Sequence, residues 1–272
     1  CTKGGYLPFD NDVPADPARY LAKTVIETGL ASYDEVVAGC HCLSPGYLDH
    51  ALTASLKNLR VQTIDGYYLH NPEQQLDDVS REQFLERLEA AFALLEQRAQ
   101  DGALRFYGIA TWNGLRANPN ARAYLSLEAL VAIAARVGGP AHHFRLIQLP
   151  YNLAMPEAWA FKNQTVEGEP MSALHAAQRL GLCVAISASL LQSQLARLPA
   201  GLEERIPGLA TSAQRAVQFV RSTPGVTTAL VGMKSRAHVE ENLALAAHPL
   251  LAPEQLAAIF FQVTADGYVA GL

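Results

Sequence analysis

Short apolar segments recur at roughly 40 residues, the length of one strand plus one helix, and constrain the fold of this chain most strongly. They occupy residues 61–69, 105–111, 144–151, 182–189 and 227–233. Their apolar residues run almost without interruption instead of alternating with polar ones, which is typical of parallel strands covered on both faces. The pattern therefore predicts an α/β protein with a buried parallel sheet.

Helical patterns with clear ends separate these segments. Ser80 and Gln83 form a capping box ahead of an apolar helical face, and Gly102 follows the last turn. Ser126 and Ser235 each precede a further helical pattern, as N-cap residues do. Parallel strands joined through helices form right-handed crossovers. Two architectures fit such connections, an open doubly wound sheet and a closed barrel.

The strand count and the missing motifs favour the barrel. With residues 1–3 included, the chain has six predicted strands, whereas a closed barrel has eight in about 250 residues. The chain contains no Gly-x-Gly-x-x-Gly and no phosphate loop ending in Gly-Lys-Ser/Thr, which an open nucleotide-binding sheet would carry. We therefore predict that residues 1–272 form a single (β/α)8 TIM barrel domain with about six of its eight strand–helix units present. Because Cys1 opens the sequence inside a predicted strand, we expect the domain to be incomplete at its N-terminus.

The composition excludes several classes of protein. Half of the residues are apolar and 17% are charged, with 21 Lys and Arg against 26 Asp and Glu, so neither disorder nor nucleic-acid binding is expected. No run of about 18 apolar residues is present, so we expect no membrane span. The four cysteines, Cys1, Cys40, Cys42 and Cys183, are too few and too irregular for a disulfide framework, and Cys40-His41-Cys42 lacks a second ligand pair at zinc spacing. We predict a cytoplasmic protein without a metal, and the sequence leaves its oligomeric state open.

Polar residues stand where the predicted strands end, and barrel active sites are built there. Lys3 ends the first strand, His70 ends the second, Gln148 lies in an apolar strand, and Lys234-Ser235 precedes the last helical pattern. Each also has a plainer interpretation. Lys3 fits a surface lysine, His70 a packed histidine and Gln148 a hydrogen-bonded core residue. Lys234-Ser235 fits an ordinary capped helix, although a helix N-terminus also attracts phosphate.

Five sequence blocks, in this order, carry a resemblance to a known family. They read TKGG at residues 2–5, SLKNL at 55–59 with IDGYYLHNP at 64–72, GALRFYGI at 102–109, Gln148 with YN at 151–152, and PGV, VGM and HVEEN between 224 and 242. This combination resembles the aldo/keto reductases. The resemblance implies a TIM barrel that binds NADP(H) without a Rossmann domain. It also implies an oxidoreductase that transfers hydride between nicotinamide and an aldehyde or ketone, or an alcohol in reverse.

The same resemblance implies catalytic residues. The family uses a Tyr as acid/base together with a Lys, an Asp and a His, and here Lys3 matches the Lys and His70 the His. A lysine ammonium lowers the pKa of a neighbouring phenol from its usual value of about 10, and the histidine donates to the carbonyl oxygen where negative charge develops. Nothing in residues 1–272 matches the motif of the Tyr and the Asp. We expect these two residues either upstream of Cys1 or truly absent.

Cofactor-binding residues are implied in the same way. Those expected to contact NADP(H) are Thr111, Asn113 and Gln148 at the nicotinamide amide, Ser187 where the family commonly stacks an aromatic side chain, Leu190 and Gln192 at the pyrophosphate, Gly232, Lys234 and Ser235 at the 2′-phosphate and adenosine ribose, and Glu241 and Asn242 at the adenine. Lys234 favours NADP over NAD. His238 stands in place of the family's usual Arg, and Arg236 is the alternative.

Three functions stay open at this point. The first is an NADP(H)-dependent oxidoreductase whose partner is a small-molecule carbonyl compound, with no nucleic acid and no membrane. The second is a non-catalytic NADP-binding barrel that acts as a sensor or regulatory subunit. The third is a barrel lyase or aldolase that uses Lys3 as a Schiff base. The substrate depends on loops such as 6–16 and 155–170, whose composition does not encode it.

Overall fold

The computed structural model describes residues 1–9, 13–199 and 201–260, so parts of the predicted loop 6–16 and of the C-terminal segment lie outside the described residues. The strands are β1 (Thr2–Gly4), β2 (Val36–Val37), β3 (His41–Cys42), β4 (Ile64–His70), β5 (Leu104–Ala110), β6 (Phe144–Pro150), β7 (Gln164–Val166), β8 (Glu169–Met171), β9 (Cys183–Ser187) and β10 (Thr228–Ala229). The helices are α1 (Pro17–Leu21), α2 (Pro45–Leu59), α3 (Arg81–Gln100), α4 (Leu127–Gly138), α5 (Glu157–Ala160), α6 (Ala173–Arg179), α7 (Leu202–Arg205), α8 (Ser212–Ser222), α9 (Arg236–Ala244) and α10 (Pro253–Phe260). Single turns of 3-10 or π-helix lie at Ala22–Ile26, Tyr33–Glu35, Pro72–Asp77, Gln194–Ala196 and Leu245–Ala247.

A six-stranded sheet organises the described chain. Its strands lie in the order β1-β4-β5-β6-β9-β10, and every neighbouring pair is parallel. The six predicted strands are thereby confirmed, although the last is only two residues long. The spatial order equals the chain order, as successive right-handed strand–helix–strand units require. In the described part of the chain, β1 and β10 are the two edges of this sheet.

The helix starts follow the predicted caps. Ser80 Oγ accepts the amide of Gln83 at 3.2 Å, and the Gln83 side chain accepts the amide of Ser80 in return, so the capping box at α3 is confirmed. Ser126 caps α4 and Ser235 caps α9 in the same manner, through bonds of 3.3 and 3.2 Å. Each cap satisfies a backbone donor that the first helical turn leaves free.

Side-chain direction divides the sheet into two faces. Tyr107 and Phe144 pack against Phe92 of α3, with ring centroids 5.1 and 5.2 Å away, so one face lies under the helices and forms the main core. Alternate residues of a strand point to opposite faces. Tyr68 and His70 therefore lie on the face turned away from the helices.

A bulge interrupts the pairing of β5 with β6. Tyr107 is opposite Phe144, but the next residue, Gly108, is opposite Leu146, so β6 carries one extra residue at this point. The carbonyl oxygen of Leu146 lies 1.6 Å from where a Cβ on Gly108 would be. Only a glycine fits beside the bulge.

Two hairpins, β2–β3 and β7–β8, lie outside the main sheet, and the second falls largely in the predicted loop 155–170. In one of them, β7 and β8 pair across Glu167 and Gly168, whose φ angles are +53° and +84°. Two successive positive φ angles are the geometry of a two-residue hairpin turn. The interpretation of residues 155–170 as an irregular loop is therefore wrong for this part, which also contains α5. Among the described residues, none of the helices combines the length and the apolarity needed to cross a bilayer.

Candidate active site

Four polar side chains from different strands share the sheet face that is turned away from the helices. Lys3 is opposite Tyr68, which lies two residues before His70 in β4. His70 is opposite Ala110 of β5, and Ala110 is opposite Gln148 of β6. Ser187 lies on the same face at the end of β9, opposite Pro150. Residues opposite each other in neighbouring strands point to the same side. The structure thus brings Lys3, His70, Gln148 and Ser187 to one face near the carboxyl ends of the strands.

Lys3 and His70 lie close enough for their charges to interact. Burial lowers the pKa of the Lys3 ammonium. Burial, and then the charge of Lys3, lowers the pKa of His70 to about 4. The imidazole of His70 is therefore neutral at pH 7 and has one N–H to donate. Neither side chain forms a hydrogen bond or an ion pair within the described chain, so both groups remain free to meet a ligand.

A buried histidine supports the end of β4 from behind. His41 Nε2 lies 2.8 Å from the carbonyl oxygen of His70, and His41 Nδ1 lies 2.8 Å from Gln75 Nε2. Arg87 donates to Gln75 Oε1 at 2.5 Å, so the Gln75 amide nitrogen must donate to Nδ1. Nε2 therefore carries the proton and donates to the His70 carbonyl. Burial lowers the pKa of His41 to about 4, which keeps this arrangement neutral.

Tyr6 packs across both histidines. Its ring meets His41 and His70 edge-on, with centroids 4.9 and 5.0 Å away. Its hydroxyl donates to Gln74 Oε1 and accepts from Asn71 Nδ2, each at 3.3 Å. Sequence reasoning missed Tyr6 and His41 because their contacts lie 29 to 68 residues away along the chain. The Tyr6 ring holds the His70 imidazole at the strand end.

A buried carboxylate, also missed, connects the ends of β4 and β5. Glu73 Oε1 accepts the hydroxyl of Thr111 and the amides of Trp112 and Asn113, the latter two at 3.2 Å. Thr111 and Asn113 are both expected at the nicotinamide amide. The Thr111 hydroxyl already donates its hydrogen to Glu73. The Asn113 backbone amide also donates to Glu73, whereas Asn113 itself is exposed. The side-chain amides of Asn113 and Gln148 make no hydrogen bond to another described residue. Of these two amides, that of Gln148 is the buried one.

The segment after β9 has an unusual backbone. Ala188, Leu191, Gln192 and Ser193 have φ angles between +43° and +72°, a region that residues other than glycine rarely adopt. Asn152 Nδ2 donates to the carbonyl of Ala188 at 2.9 Å and ties this segment to the end of β6. The half-buried Leu190 and the exposed Gln192 lie in this segment. Within this segment the Leu191 amide donates to the Ala188 carbonyl at 2.8 Å, so it is already in use.

The segment before α9 is exposed. Gly232, Lys234 and Ser235 are all accessible, and Lys234 forms no ion pair with any described residue. Arg236, in contrast, pairs with Glu240 at 2.7 Å, and His238 is exposed. The Lys234 ammonium thus stands free beside the positive end of a nine-residue helix.

Glu241 and Asn242, the residues expected at the adenine, are both half-buried, and the Glu241 side chain is hydrogen-bonded. One carboxylate oxygen of Glu241 accepts the Thr211 hydroxyl at 2.5 Å, and the Glu241 carbonyl accepts from Gln214 at 2.9 Å. Asn242 is half-buried beside it. Glu241 therefore joins α9 to α8, with one oxygen already in use.

A cavity of about 490 Å³ opens beside Lys3. Lys3 and Tyr6 border it, and its walls combine polar and apolar surface, with Phe9, Tyr47 and Ala51 among the lining residues. A second cavity of about 570 Å³ lies between α3 and α4 and contains none of the predicted site residues. Lys3 is the predicted site residue that borders the first cavity, whereas His70, Gln148 and Ser187 do not line it.

Comparison with known proteins shows which family model and which solved structures the chain resembles. The model of the aldo/keto reductase family matches residues 13–128, and no curated protein matches the chain. Similar solved structures include an aldo-keto reductase from Bacillus halodurans (20% identity, TM-score 0.53), the glycerol dehydrogenase of Gluconobacter oxydans (18%, 0.57), and an aldo/keto reductase from Klebsiella pneumoniae in complex with NADP and acetate (23%, 0.53). Each likeness covers 80% of this chain and, in the same order, 67%, 64% and 65% of the other chain.

These matches establish the fold as the α/β barrel type of the aldo/keto reductases. The six parallel strands and their alternating helices correspond to it, with β1 and β10 as free edges in the described chain. Residues 13–128, less than half of the chain, match the model of the aldo/keto reductase family.

Proposed function

We propose that the protein is an NADP(H)-dependent oxidoreductase that transfers hydride between nicotinamide and an aldehyde or ketone, or an alcohol in reverse. The observation that carries this proposal is the meeting of Lys3 and His70 at the ends of the neighbouring strands β1 and β4. The family match over residues 13–128 supports it, as does the NADP bound by the similar Klebsiella pneumoniae protein.

The free polar groups of the site fit NADP(H). The Gln148 amide can pair with the nicotinamide carboxamide, and the Lys234 ammonium before α9 fits a 2′-phosphate. Leu190 and Gln192, in the segment after β9, are the residues that we assign to the pyrophosphate. The small Ser187 leaves room for a flat ring, although it cannot stack on one as an aromatic side chain would. When bound, NADPH supplies the hydride.

The chain's own residues prepare the carbonyl group. The neutral His70 imidazole donates its N–H to the carbonyl oxygen, where negative charge develops during reduction. Lys3 adds a positive charge beside the same oxygen. That charge also favours the ionised form of any neighbouring phenol. Tyr6 and His41 fix His70, and a donor held in place avoids the cost of reorganisation during the reaction.

Fluorescence titration with NADPH, followed by assays on a panel of aldehydes and ketones, tests the proposal. An oxidoreductase binds NADPH and reduces at least one compound of the panel. A sensor or regulatory subunit binds NADPH and reduces none, and a chain that does not bind NADPH rejects both functions. Borohydride trapping of a substrate on Lys3 would instead indicate a Schiff-base enzyme.

Replacing His70 with alanine should lower kcat for carbonyl reduction roughly 100-fold, because one donor to the developing oxyanion is lost. The dissociation constant of NADPH should stay within about twofold, since His70 faces the carbonyl compound and not the cofactor. Steady-state kinetics and fluorescence titration measure the two quantities. His248→Ala, in the segment between the turn Leu245–Ala247 and α10, is the control. A loss of NADPH affinity with unchanged kcat would contradict the assigned role.

Replacing Lys234 with alanine should weaken NADPH roughly 10- to 100-fold, the range for losing a hydrogen bond to a charged group. NADH lacks the 2′-phosphate, so its affinity should change little. Paired titrations with both nucleotides measure the effect, and Lys162→Ala, another exposed lysine, serves as the control. Equal weakening of both nucleotides would show that Lys234 does not contact the 2′-phosphate.

Three related properties are part of the same proposal. We place the activity in one domain formed by residues 1–272, with a small-molecule carbonyl compound as the partner. We propose the cytoplasm as its compartment, because the four cysteines are too irregularly spaced for the disulfide framework of a secreted protein.

A further inference from the structure

Glu73 is one of two buried carboxylates in the described chain, the other being Glu96. It lies in the 3-10 turn Pro72–Asp77, three residues after His70, and only 7% of it is exposed. No described cation forms an ion pair with it. A buried charge without a cation is destabilising unless hydrogen bonds replace the lost water.

Those hydrogen bonds all come from the segment that follows β5. Glu73 Oε1 accepts the amides of Trp112 at 3.2 Å, Asn113 at 3.2 Å and Gly114 at 3.3 Å, together with the Thr111 hydroxyl. Three successive amides that converge on one oxygen form an anion-binding concavity. Glu73 Oε2 is buried and has no partner among the described residues. The carboxylate is thus held through one oxygen only, by three backbone amides and one hydroxyl of a single loop.

The same loop is shaped to receive it. The Gly114 amide also donates to Thr111 Oγ1 at 2.8 Å, which closes the loop on itself. A Cβ on Gly114 would lie 2.6 Å from Leu125 Cδ1 and 2.9 Å from Thr111 Oγ1. The loop therefore adopts one compact form with its amides turned toward Glu73.

We propose that Glu73 is a positioning residue, which fixes the backbone of residues 111–114 at the end of β5 and so holds the rim against which the nicotinamide half of NADP(H) binds. The cofactor part of this inference rests on the proposed function, whereas the loop part does not. Because the turn that carries Glu73 begins directly after His70, one carboxylate joins the carbonyl-binding end of the site to the cofactor-binding end.

Glu96 offers a matched control at the opposite end of the same strands. It is 3% exposed, and its two oxygens accept the backbone amide and the Nδ1–H of His143, both at 2.7 Å. Both carboxylates are buried and both bond to backbone amides. Only Glu73 lies at the carboxyl ends of the strands. If Glu73 had only a structural role, replacing it would affect stability and local amide exchange, as replacing Glu96 does, and would leave NADPH affinity unchanged.

The test uses the 272-residue chain with Glu73→Ala, the conservative Glu73→Gln, and Glu96→Gln. Amide hydrogen exchange followed by NMR reports on residues 112–114 and on His143, and NADPH titration reports on the cofactor. In Glu73→Ala we expect amides 112–114 to exchange at least tenfold faster, the His143 amide to keep its rate, and NADPH affinity to fall roughly tenfold. Glu73→Gln keeps an acceptor oxygen and should lie between wild type and Glu73→Ala. Glu96→Gln should lower thermal stability and speed the exchange of the His143 amide, with NADPH affinity unchanged.

Two results would overturn the proposal. One is an unchanged exchange rate at residues 112–114 without the carboxylate. The other is faster exchange together with wild-type NADPH affinity. If Glu73→Ala does not fold, Glu73→Gln decides by the same two measurements. If wild type itself fails to bind NADPH, the proposed function and the cofactor part fail together, while the exchange rates still decide whether Glu73 holds the loop.

Discussion

Replacing Lys3 with methionine should lower the rate of carbonyl reduction by about 10²- to 10⁴-fold, the range for a residue that assists proton transfer. Methionine keeps the length and much of the volume of the side chain but removes the positive charge. In wild type this charge lies beside His70 and contributes to its lowered pKa. The pKa of His70 should therefore rise in the variant, since a like charge has been removed. NADPH should still bind, because the expected cofactor contacts come from other strands.

Kinetics, NADPH titration and NMR titration of the His70 ring measure these three quantities. Lys57→Met removes an exposed lysine from α2 and is the matched control. Unchanged turnover in the Lys3 variant would reject its catalytic role. An unchanged pKa of His70 would show that the two side chains do not meet in solution.

Replacing Gly108 with alanine should destabilise the protein by at least the roughly 1–3 kcal/mol typical of overpacked cores. The new Cβ would lie 1.6 Å from the carbonyl oxygen of Leu146 and 2.5 Å from its carbonyl carbon. These are backbone atoms of the paired strand β6, so no side-chain rotation can relieve the contact. Relief requires that the two strands separate.

Chemical denaturation followed by circular dichroism gives the free energy of unfolding. Gly232→Ala is the control, because no atom lies within 4 Å of where its Cβ would be. Equal stability of the two alanine variants would mean that β5 and β6 are not as closely paired as the structure shows.

The sequence predicts the main sheet well because burial on both faces leaves a strong local signal. The segment around Leu146 is apolar for this reason, and the caps at Ser80 and Ser126 are equally local. The β7–β8 hairpin was not predicted. Its turn consists of Glu167 and Gly168, and Glu is not among the residues that usually mark a turn with positive φ.

The candidate site could be predicted only where a residue belongs to a recognisable block. Lys3 and His70 lie in such blocks, and the structure places them together. Glu73 carries no local signal, and His41 stands out only within Cys40-His41-Cys42, because the contacts of both are with residues more than 25 positions away, at Trp112 and His70. A contact between the ends of two strands depends on their register, and register depends on the packing of the whole sheet.

The single extra residue in β6 decides what Gln148 can do. Before the bulge, Phe144 is opposite Tyr107, and after the bulge Gln148 is opposite Ala110. An unbroken ladder continued from Phe144 would bring Gln148 level with Thr111 and turn its amide under the helices, while Ile147 would face the ligand. The one extra residue in β6 thus decides which side chains after the bulge face the site and which face the helices. Inserting or deleting one residue at Arg145 would turn Gln148 away from the site and turn Ile147 toward it. A polar wall of the site would become apolar although neither of these two residues is substituted.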